Sequence, residues 1–388
     1  MNPDLRVIGA NLRRIREAKG LTQAEMAERA SISRIAYRNI ENGKSTPKVS
    51  TLQNIAAGAG TKLQDLLIPV RILTKVRFRA TKKMNSRENI LTEVARWLDD
   101  FNDLEILVNA HQDYKFAALT IELAQLSSIK RGDDKAKYAA GRAREILGLK
   151  EKEPIRDITG LLEKCGIKVY PLNLVSDGFF GLSVAEDDGG PAIIVNVWER
   201  ISVERWIFST AHELGHLLLH LDTYNVDECV ENKVQEREAD VFASHFLMPE
   251  KAFIAEWNEA AGLFYLDRVF KTKRIFQVSY KTVLYRLNEI TGDNSVWGKF
   301  YGAFRRRTGK TLGKTDEPEA LAPDTFRQSP EVLRAHEPDT LSPSDFLADR
   351  LSRLVRQAIE QDEITMSRGA EILGKDLAEM REIVSLWV

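Results

Sequence analysis

Three histidines and one glutamate stand close together in FSTAHELGHLLLH, residues 208–220, a run that is otherwise largely apolar. His212 and His216 are four residues apart, so on a helix their imidazoles lie one turn above each other on the same face. Two imidazoles in this arrangement can bind one metal ion. Glu213, about a hundred degrees around the helix, can hold a water molecule there without binding the metal. The spacing indicates a catalytic metal site, provided that a third ligand exists.

A third ligand is available in QEREADVFASHFLMP, residues 235–249. Glu236 and Asp240 lie one turn apart on a predicted helix, so Glu236 can approach the ion while Asp240 supports a ligand histidine. Two histidines, one carboxylate and an open fourth position are typical of a catalytic zinc site. Glu238 is the alternative ligand if the helix is rotated. A buried polar cluster without metal is the alternative to the site as a whole.

His220 follows His216 by four residues, but a helix bends away from a single ion over three successive turns. We therefore expect His220 beside the ligands or facing the substrate, with an ordinary buried histidine as the alternative. The spacing identifies no donor for a developing oxyanion. Tyr265 and Tyr280 are candidates by residue type only.

The elements that must position these residues can also be predicted. Amphipathic helices in DKAKYAAGRAREILGL and PIRDITGLLEKCG precede alternating, strand-like runs in IKVYPLNL, GFFGLSVAE and PAIIVNV. The histidine-bearing helix, SVERWIFSTAHELGHLLLH, would lie against the resulting sheet. We predict a small α+β domain.

Over roughly residues 133–290, the motifs HELGHLLLH, E-x-E-A-D-x-F-A-x-x-F-L-M-P and GIKVYPL resemble the ImmA/IrrE family of metallopeptidases. The resemblance implies a zincin-like endopeptidase with Zn²⁺, or another divalent ion, as cofactor. It also implies that His212, His216 and Glu236 bind the metal and that Glu213 is the general base.

A second motif, LTQAEMAERASISRIAYRNIENGKSTP, occupies residues 21–47. Thr22 can cap a helix with Glu25 completing a capping box, and Ser33 can cap a second helix that ends near Glu41. A short turn around residues 30–32 joins the two helices. Two short helices joined in this way form a helix-turn-helix.

Residues 6–68 resemble the XRE or phage-repressor family in LTQAEMA, S-x-x-x-Y-x-x-IENGKSTP and TLQNIA. The resemblance implies a five-helix domain with a structural salt bridge between Arg16 and Glu41. It also implies a positive φ in the turn at Ser31, where the family usually has glycine. It implies DNA contacts from one surface: Gln23 and Ser33 to phosphates, Arg34, Ile35 and Asn39 to base edges, with Arg38 and Lys44 beside them. Arginine suits guanine, asparagine suits adenine, and an apolar side chain suits the thymine methyl.

The charge distribution agrees with a DNA-binding end. Residues 1–87 carry 18 Lys and Arg against 6 Asp and Glu, whereas the other 301 residues carry 38 against 51. A basic head on an acidic body is expected when one end meets nucleic acid. Cys165 and Cys229 form no CxxC pair, which argues against a disulfide framework or a thiolate metal site. No apolar run is long enough to cross a membrane, so we expect a cytoplasmic protein, associated with the nucleoid when bound to DNA.

Three segments have less specific patterns. PVRILTKVRFRATKKMNSR, residues 69–87, has seven positive charges and no acid, so its predicted strand could contact phosphates or be a charged edge strand. Residues 313–345 contain five prolines and read as a linker. The last 43 residues form an acidic helical packing unit, or alternatively a second helix-turn-helix or a docking module.

The predicted fold is mainly α with an α+β zincin-like domain. The predicted order is an XRE-type DNA-binding domain (1–68), a basic strand or hinge with a helical spacer (69–130), an ImmA/IrrE-like metallopeptidase domain (131–300), a proline-rich linker (301–345) and a C-terminal helical module (346–388).

The predicted function is that of a regulator which binds double-stranded operator DNA and, on a signal, cleaves a repressor, an antitoxin or itself. The alternative is a transcription factor or antitoxin whose protease-like domain is a non-catalytic sensor or dimerisation module. We expect a homodimer, since such heads bind paired half-sites, and no membrane partner.

Overall fold

A computed structural model of the chain describes residues 5–67, 71, 73–80, 87–126, 132–176, 178–225, 232–313, 315–320 and 349–387. The chain divides into two units. The first comprises Met1–Leu73 and Lys82–Asp103, and the second comprises Thr74–Thr81 and Leu104–Val388. The chain therefore leaves the first unit for one short segment and returns before it continues into the rest of the second. No helix among the described residues combines the length and apolar character needed to span a bilayer.

The N-terminal region is a bundle of five helices, as predicted. They are α1 (Leu5–Ala18), α2 (Gln23–Arg29), α3 (Arg34–Glu41), α4 (Val49–Ala59) and α5 (Gln64–Leu67). Thr22 caps α2 in a capping box with Glu25, and Ser33 accepts a hydrogen bond from the Ala36 N–H at the start of α3. Ser31 adopts φ +54° in the turn between them. The predicted caps and the predicted positive φ are confirmed.

The region of the predicted helical spacer contains α6 (Arg87–Leu107) and α7 (Ala117–Leu126). The boundary between the two units falls inside α6, between Asp103 and Leu104. Cys165 is buried and has a free thiol, while Cys229 lies outside the described residues.

A four-stranded mixed sheet forms the centre of the second unit. Its strands are β1 (Val76–Ala80), β2 (Lys168–Leu172), β3 (Phe179–Val184) and β4 (Ala192–Asn196), in the spatial order β1-β3-β4-β2. β3 pairs antiparallel with β1 and β4, and β2 pairs parallel with β4. The basic strand, which the sequence left as either a phosphate-contacting segment or a charged edge, is thus an edge strand of this sheet.

Further helices of the second unit precede and follow the other three strands, and two of these helices carry the candidate ligands. They are α8 (Asp133–Ile146), α9 (Ile158–Glu163), α10 (Val203–Leu219), α11 (Lys233–Leu247), α12 (Glu250–Glu259), α13 (Tyr265–Phe276), α14 (Tyr280–Thr291) and α15 (Val296–Thr308). Helix α10, which carries the histidines, packs against β3, β4, α8 and α11, and almost all of its residues are buried. Its apolar sequence therefore reflects a position in the middle of the core.

The end of the chain is again helical, as predicted, with α16 (Arg350–Glu360), α17 (Met366–Ile372) and α18 (Leu377–Ser385). Arg350 anchors this part. Its side chain is 4% exposed and donates to a carboxylate oxygen of Glu105 and to the Ala110 carbonyl, and its backbone N–H donates to Glu163. Most of the predicted proline-rich linker, residues 321–348, lies outside the described residues.

Candidate metal centre and nucleic-acid interface

The three predicted metal ligands lie together. His212 Nε2 and His216 Nε2 are 2.9 Å apart, and each is 3.3 Å from an oxygen of Glu236. Both imidazoles are fully buried on α10, and Glu236 reaches them from the first turn of α11. Ligand atoms about 2 Å from a tetrahedral ion lie about 3.3 Å apart, so these separations are close to those of a zinc site.

The hydrogen bonds around His212 determine which of its nitrogens faces this cluster with a lone pair. Nδ1 lies 2.8 Å from Asp240 Oδ1. An ionised carboxylate only accepts hydrogen bonds, so Nδ1 carries the proton of the neutral ring. Nε2 therefore presents its lone pair to the centre of the cluster.

A longer chain of contacts has the same effect on His216. Glu238 Oε2 lies 2.8 Å from His220 Nε2, and His220 Nδ1 lies 2.9 Å from His216 Nδ1. The carboxylate requires a proton on His220 Nε2, which leaves Nδ1 of that neutral ring to accept from His216 Nδ1. The second ligand imidazole thus also points a lone pair into the cluster.

Two imidazole lone pairs and a carboxylate that converge in a largely buried site repel one another unless a cation lies between them. A proton on His216 is disfavoured, since burial lowers the pKa of this histidine well below its usual value, against the opposing effect of Glu236. Burial likewise lowers the pKa of His220. Neutral imidazole nitrogens and a carboxylate oxygen are donors that zinc prefers, so the residues fit a divalent ion of this kind.

Asp240, His220 and Glu238 thus lie behind the candidate ligands. Glu238, the alternative ligand at the sequence level, bonds His220, whereas Glu236 faces both imidazoles. His220 ends helix α10 at a non-helical backbone conformation (φ −133°, ψ 19°), which turns it away from the ligand face toward His216 Nδ1.

Glu213, the predicted general base, is fully buried on α10. Its Oε2 accepts a hydrogen bond from the Ser183 hydroxyl at 2.8 Å, and the Ser183 oxygen is 2.7 Å from the Tyr224 hydroxyl. A Cβ at Gly181 would lie 3.2 Å from Glu213 Cγ, so glycine at this point of β3 leaves room for the glutamate. The carboxylate therefore lies between α10 and β3.

Arg77 on β1 and Ser183 on β3 each contact one of the two carboxylates. Arg77 stands directly opposite Ser183 in the β1–β3 pair, so the two side chains share one face of the sheet. The Ser183 hydroxyl donates to the Glu213 carboxylate. Arg77 Nη2 donates to Glu236 Oε1 at 2.9 Å. The carboxylates of Glu213 and Glu236 are thereby held by neighbouring side chains.

Ser183, Tyr224 and Arg77 were not among the residues predicted from the sequence. Serine and tyrosine at these positions belong to no motif, and Arg77 is one of seven charges in a basic run. The tyrosines chosen by residue type have other contacts: the Tyr265 hydroxyl donates to the Val296 carbonyl, and buried Tyr280 stacks on Phe300.

The predicted DNA-contacting residues form an exposed surface on and beside α3. Ser33, Arg34, Ile35, Arg38 and Lys44 are exposed, and Asn39 is partly so. Ile35 is 64% exposed, which is unusual for a large apolar side chain.

Behind this surface, Arg16 Nε donates to Glu41 Oε2 at 2.7 Å, the salt bridge that the resemblance implies. Gln23, predicted to touch phosphate, donates its amide to Glu41 Oε1 at 2.9 Å. Its position is therefore determined by the same buried carboxylate.

Comparison with known proteins identifies both parts. Residues 12–66 match the helix-turn-helix family, and residues 162–288 match the IrrE N-terminal-like domain family. The chain is also 34% identical over 64 residues to the uncharacterized HTH-type transcriptional regulator y4dJ of Sinorhizobium fredii (strain NBRC 101917 / NGR234), a match that covers 16% of this chain and 83% of that protein. The chain belongs to the XRE-type helix-turn-helix regulators. It also contains an IrrE-like peptidase-family domain.

The two matched segments include most of the regulator's candidate residues, but not Arg77. The helix-turn-helix match covers the whole exposed surface of α3, and the IrrE-like match covers α10, α11 and strands β2 to β4. Strand β1, with Arg77, lies in neither matched segment. This XRE-type regulator therefore has a contact to its candidate metal centre outside both family segments.

Proposed function

We propose that this DNA-binding regulator is also a zinc-dependent endopeptidase, which cuts a regulatory protein when a signal arrives. The observation that carries the proposal is the convergence of two imidazole lone pairs and the Glu236 carboxylate next to buried Glu213. The substrate class is a repressor, an antitoxin or the chain itself. The DNA target is a double-stranded operator, which a homodimer binds as paired half-sites.

His212, His216 and Glu236 would hold the ion, which supplies Lewis acidity to polarise a peptide carbonyl and to acidify water. Glu213 would take a proton from the attacking water and deliver it to the leaving amide nitrogen. Ser183 donates to Oε2 of this carboxylate, which restricts its rotation. The Tyr224 hydroxyl supports Ser183 in turn.

DNA recognition would use the exposed face of α3. Arg34 can bind guanine through both nitrogens of its fork, Asn39 can bind adenine, and exposed Ile35 can contact a thymine methyl. Ser33 and Lys44 would contact phosphates, which add affinity without sequence preference. The excess of positive charge in residues 1–87 supports contact between this part of the chain and DNA phosphates.

Comparison of the wild type with Glu213→Gln tests the peptidase proposal. Glutamine keeps the shape of the side chain but cannot accept the proton, so we expect cleavage to fall by about 10²-fold or more with DNA binding unchanged. The zinc-loaded full chains are incubated alone and with the products of neighbouring genes, and new N-termini are identified by mass spectrometry.

Glu199→Gln, which changes an exposed glutamate of the same unit, is the matched control and should cleave at the wild-type rate. Equal cleavage by the wild type and Glu213→Gln would exclude Glu213 as the base. If neither protein cuts any candidate while both regulate normally, the domain is a non-catalytic sensor or dimerisation module.

A further inference from the structure

Arg77 holds two consecutive residues of α11 with one guanidinium group. Nη2 donates to Glu236 Oε1 at 2.9 Å, and Nη1 donates to Gln235 Oε1 at 2.6 Å. The Arg77 side chain is 13% exposed and that of Glu236 is 15% exposed. The planar guanidinium therefore restrains the Glu236 carboxylate through Oε1, the oxygen that also faces His216 Nε2, in a largely water-free setting.

Glu236 needs such support more than the other two candidate ligands. The imidazoles lie in the interior of α10, and Asp240 and His220 orient them. Glu236, in contrast, lies in the first turn of α11 on a side chain with three rotatable bonds. First turns of helices lack part of their backbone hydrogen bonding and fray more readily than helix interiors.

We propose that Arg77 is a positioning residue, which orients Glu236 toward His212 and His216 and thereby completes the metal centre. This inference rests on the proposed function only in that the cluster binds a divalent ion. Arg77 acts through Glu236 and is not itself a ligand.

Arg77 lies in a segment that interrupts the first unit along the chain. Residues 74–81 belong to the second unit, although the chain on both sides of them belongs to the first unit, called here the DNA-binding unit because it contains the helix-turn-helix. Asp188 secures the start of this segment by accepting hydrogen bonds from the backbone N–H groups of Thr74 and Lys75. Completion of the metal centre thus depends on a strand that the chain contributes between two stretches of the DNA-binding unit.

The sign of a substitution effect separates positioning from simple charge compensation. A positive charge near the cluster repels a divalent ion, so loss of the charge alone would tighten metal binding. Loss of the hydrogen-bonded fork would weaken it, because the third ligand is no longer oriented. Supporting contacts of this kind are worth about 10- to 100-fold in metal affinity.

The test measures zinc affinity of the full-length chain by competition with a chromophoric chelator. We expect Arg77→Met to bind zinc about 10- to 100-fold more weakly than the wild type. Arg77→Lys can still donate one hydrogen bond to Glu236 but cannot contact Gln235 at the same time, so its zinc affinity should fall between the two. Arg237→Met is the matched control, since Arg237 is next to Glu236 in sequence but pairs with Asp133, and it should match the wild type.

Cobalt(II) substitution provides a readout that a general loss of stability would not move. We expect Arg77→Met to shift and weaken the cobalt d–d absorption while its circular dichroism stays that of the wild type. If Arg77→Met does not fold, Arg77→Lys decides the question by the same two measurements. Unchanged or tighter zinc binding in the folded Arg77 variant would overturn the positioning role alone. A wild-type chain that binds no zinc would overturn the metal centre as well.

Discussion

At the scale of single residues, the candidate metal centre depends on which nitrogen of each histidine is protonated. Asp240 assigns the proton of His212 to Nδ1, and the chain from Glu238 through His220 does the same for His216. A neutral imidazole that loses such a partner can present N–H instead of a lone pair to the ion. The outer residues should therefore affect metal binding although they do not touch the metal.

Asp240→Ala tests this at His212. The variant should bind zinc about 10- to 100-fold more weakly, because the ring is free to rotate and to change tautomer. Zinc affinity is measured by chelator competition, with Asp222→Ala, an exposed aspartate after α10, as the control. Equal affinities in Asp240→Ala and Asp222→Ala would show that Asp240 has no part in orienting His212.

Sequence spacing could predict the residues of the cluster but only some of their supports. Residues i and i+4 of a helix share a face, so His212, His216 and the pair of Glu236 and Asp240 were accessible from the sequence. The contact of Ser183 with Glu213 depends on how β3 packs against α10, and no local pattern reports such packing.

At the scale of elements, close approach of α10 and α11 brings the ligands together. Gly215 lies between the two histidines, and a Cβ there would be 3.0 Å from the Phe242 ring and 3.3 Å from the Ala239 backbone. A larger residue would separate the helices by a few tenths of an ångström and move Glu236 outward. Glycine in this helix interior therefore sacrifices some helix propensity for close helix packing.

A separate prediction concerns DNA binding by the recognition helix α3. Arg34→Ala should cost about 1–3 kcal/mol on the specific site and relax specificity there, whereas Lys44→Ala should weaken binding to all sequences alike. The operator is first selected from a random duplex library, and both variants are then titrated with selected and random DNA. Equal losses on both DNAs for both variants would contradict the assignment of Arg34 to base contact.

The elements themselves were largely predictable, and their partners were not. Thr22 and Ser33 indicate helix starts because their side chains cap the helices through local hydrogen bonds. The alternation around Val76–Ala80 indicates a strand. The partner of that strand, β3, is about a hundred residues away in the chain. Pairing over such a distance is decided by the tertiary fold, so the sequence left the strand's role open.

At the scale of the whole molecule, the basic DNA-binding end and the acidic remainder differ in charge, and the second unit has its own buried charges. Burial raises the pKa of Glu163 to about 7, against the opposing effect of the hydrogen bond from the Arg350 N–H. Because Glu163 accepts the hydrogen bond from the Arg350 N–H, the attachment of the C-terminal helices should depend on pH.

The sign of the pH effect follows from this shift. The folded chain retains the Glu163 proton between about pH 4.5 and 7, where the unfolded chain loses it, so this group lowers the free energy of unfolding as pH rises through that window. Glu163→Gln should remove the penalty and stabilise the protein by up to about 3 kcal/mol at pH 8, with little effect at pH 4.5. The free energies of unfolding of the wild type, Glu163→Gln and the exposed control Glu199→Gln are measured by denaturant titration at both pH values. A gain that is the same at both pH values would contradict the titration of Glu163.

The proposed metal centre can be tested by the metal content of the full-length chain. Purified wild type, equilibrated with zinc and freed of excess, is analysed by inductively coupled plasma mass spectrometry beside His212→Ala. We expect about one tightly held divalent ion per wild-type chain and its loss in His212→Ala, with both chains folded and both able to bind DNA. A folded wild-type chain that retains no ion, or a His212→Ala chain that retains as much as the wild type, would contradict the metal centre.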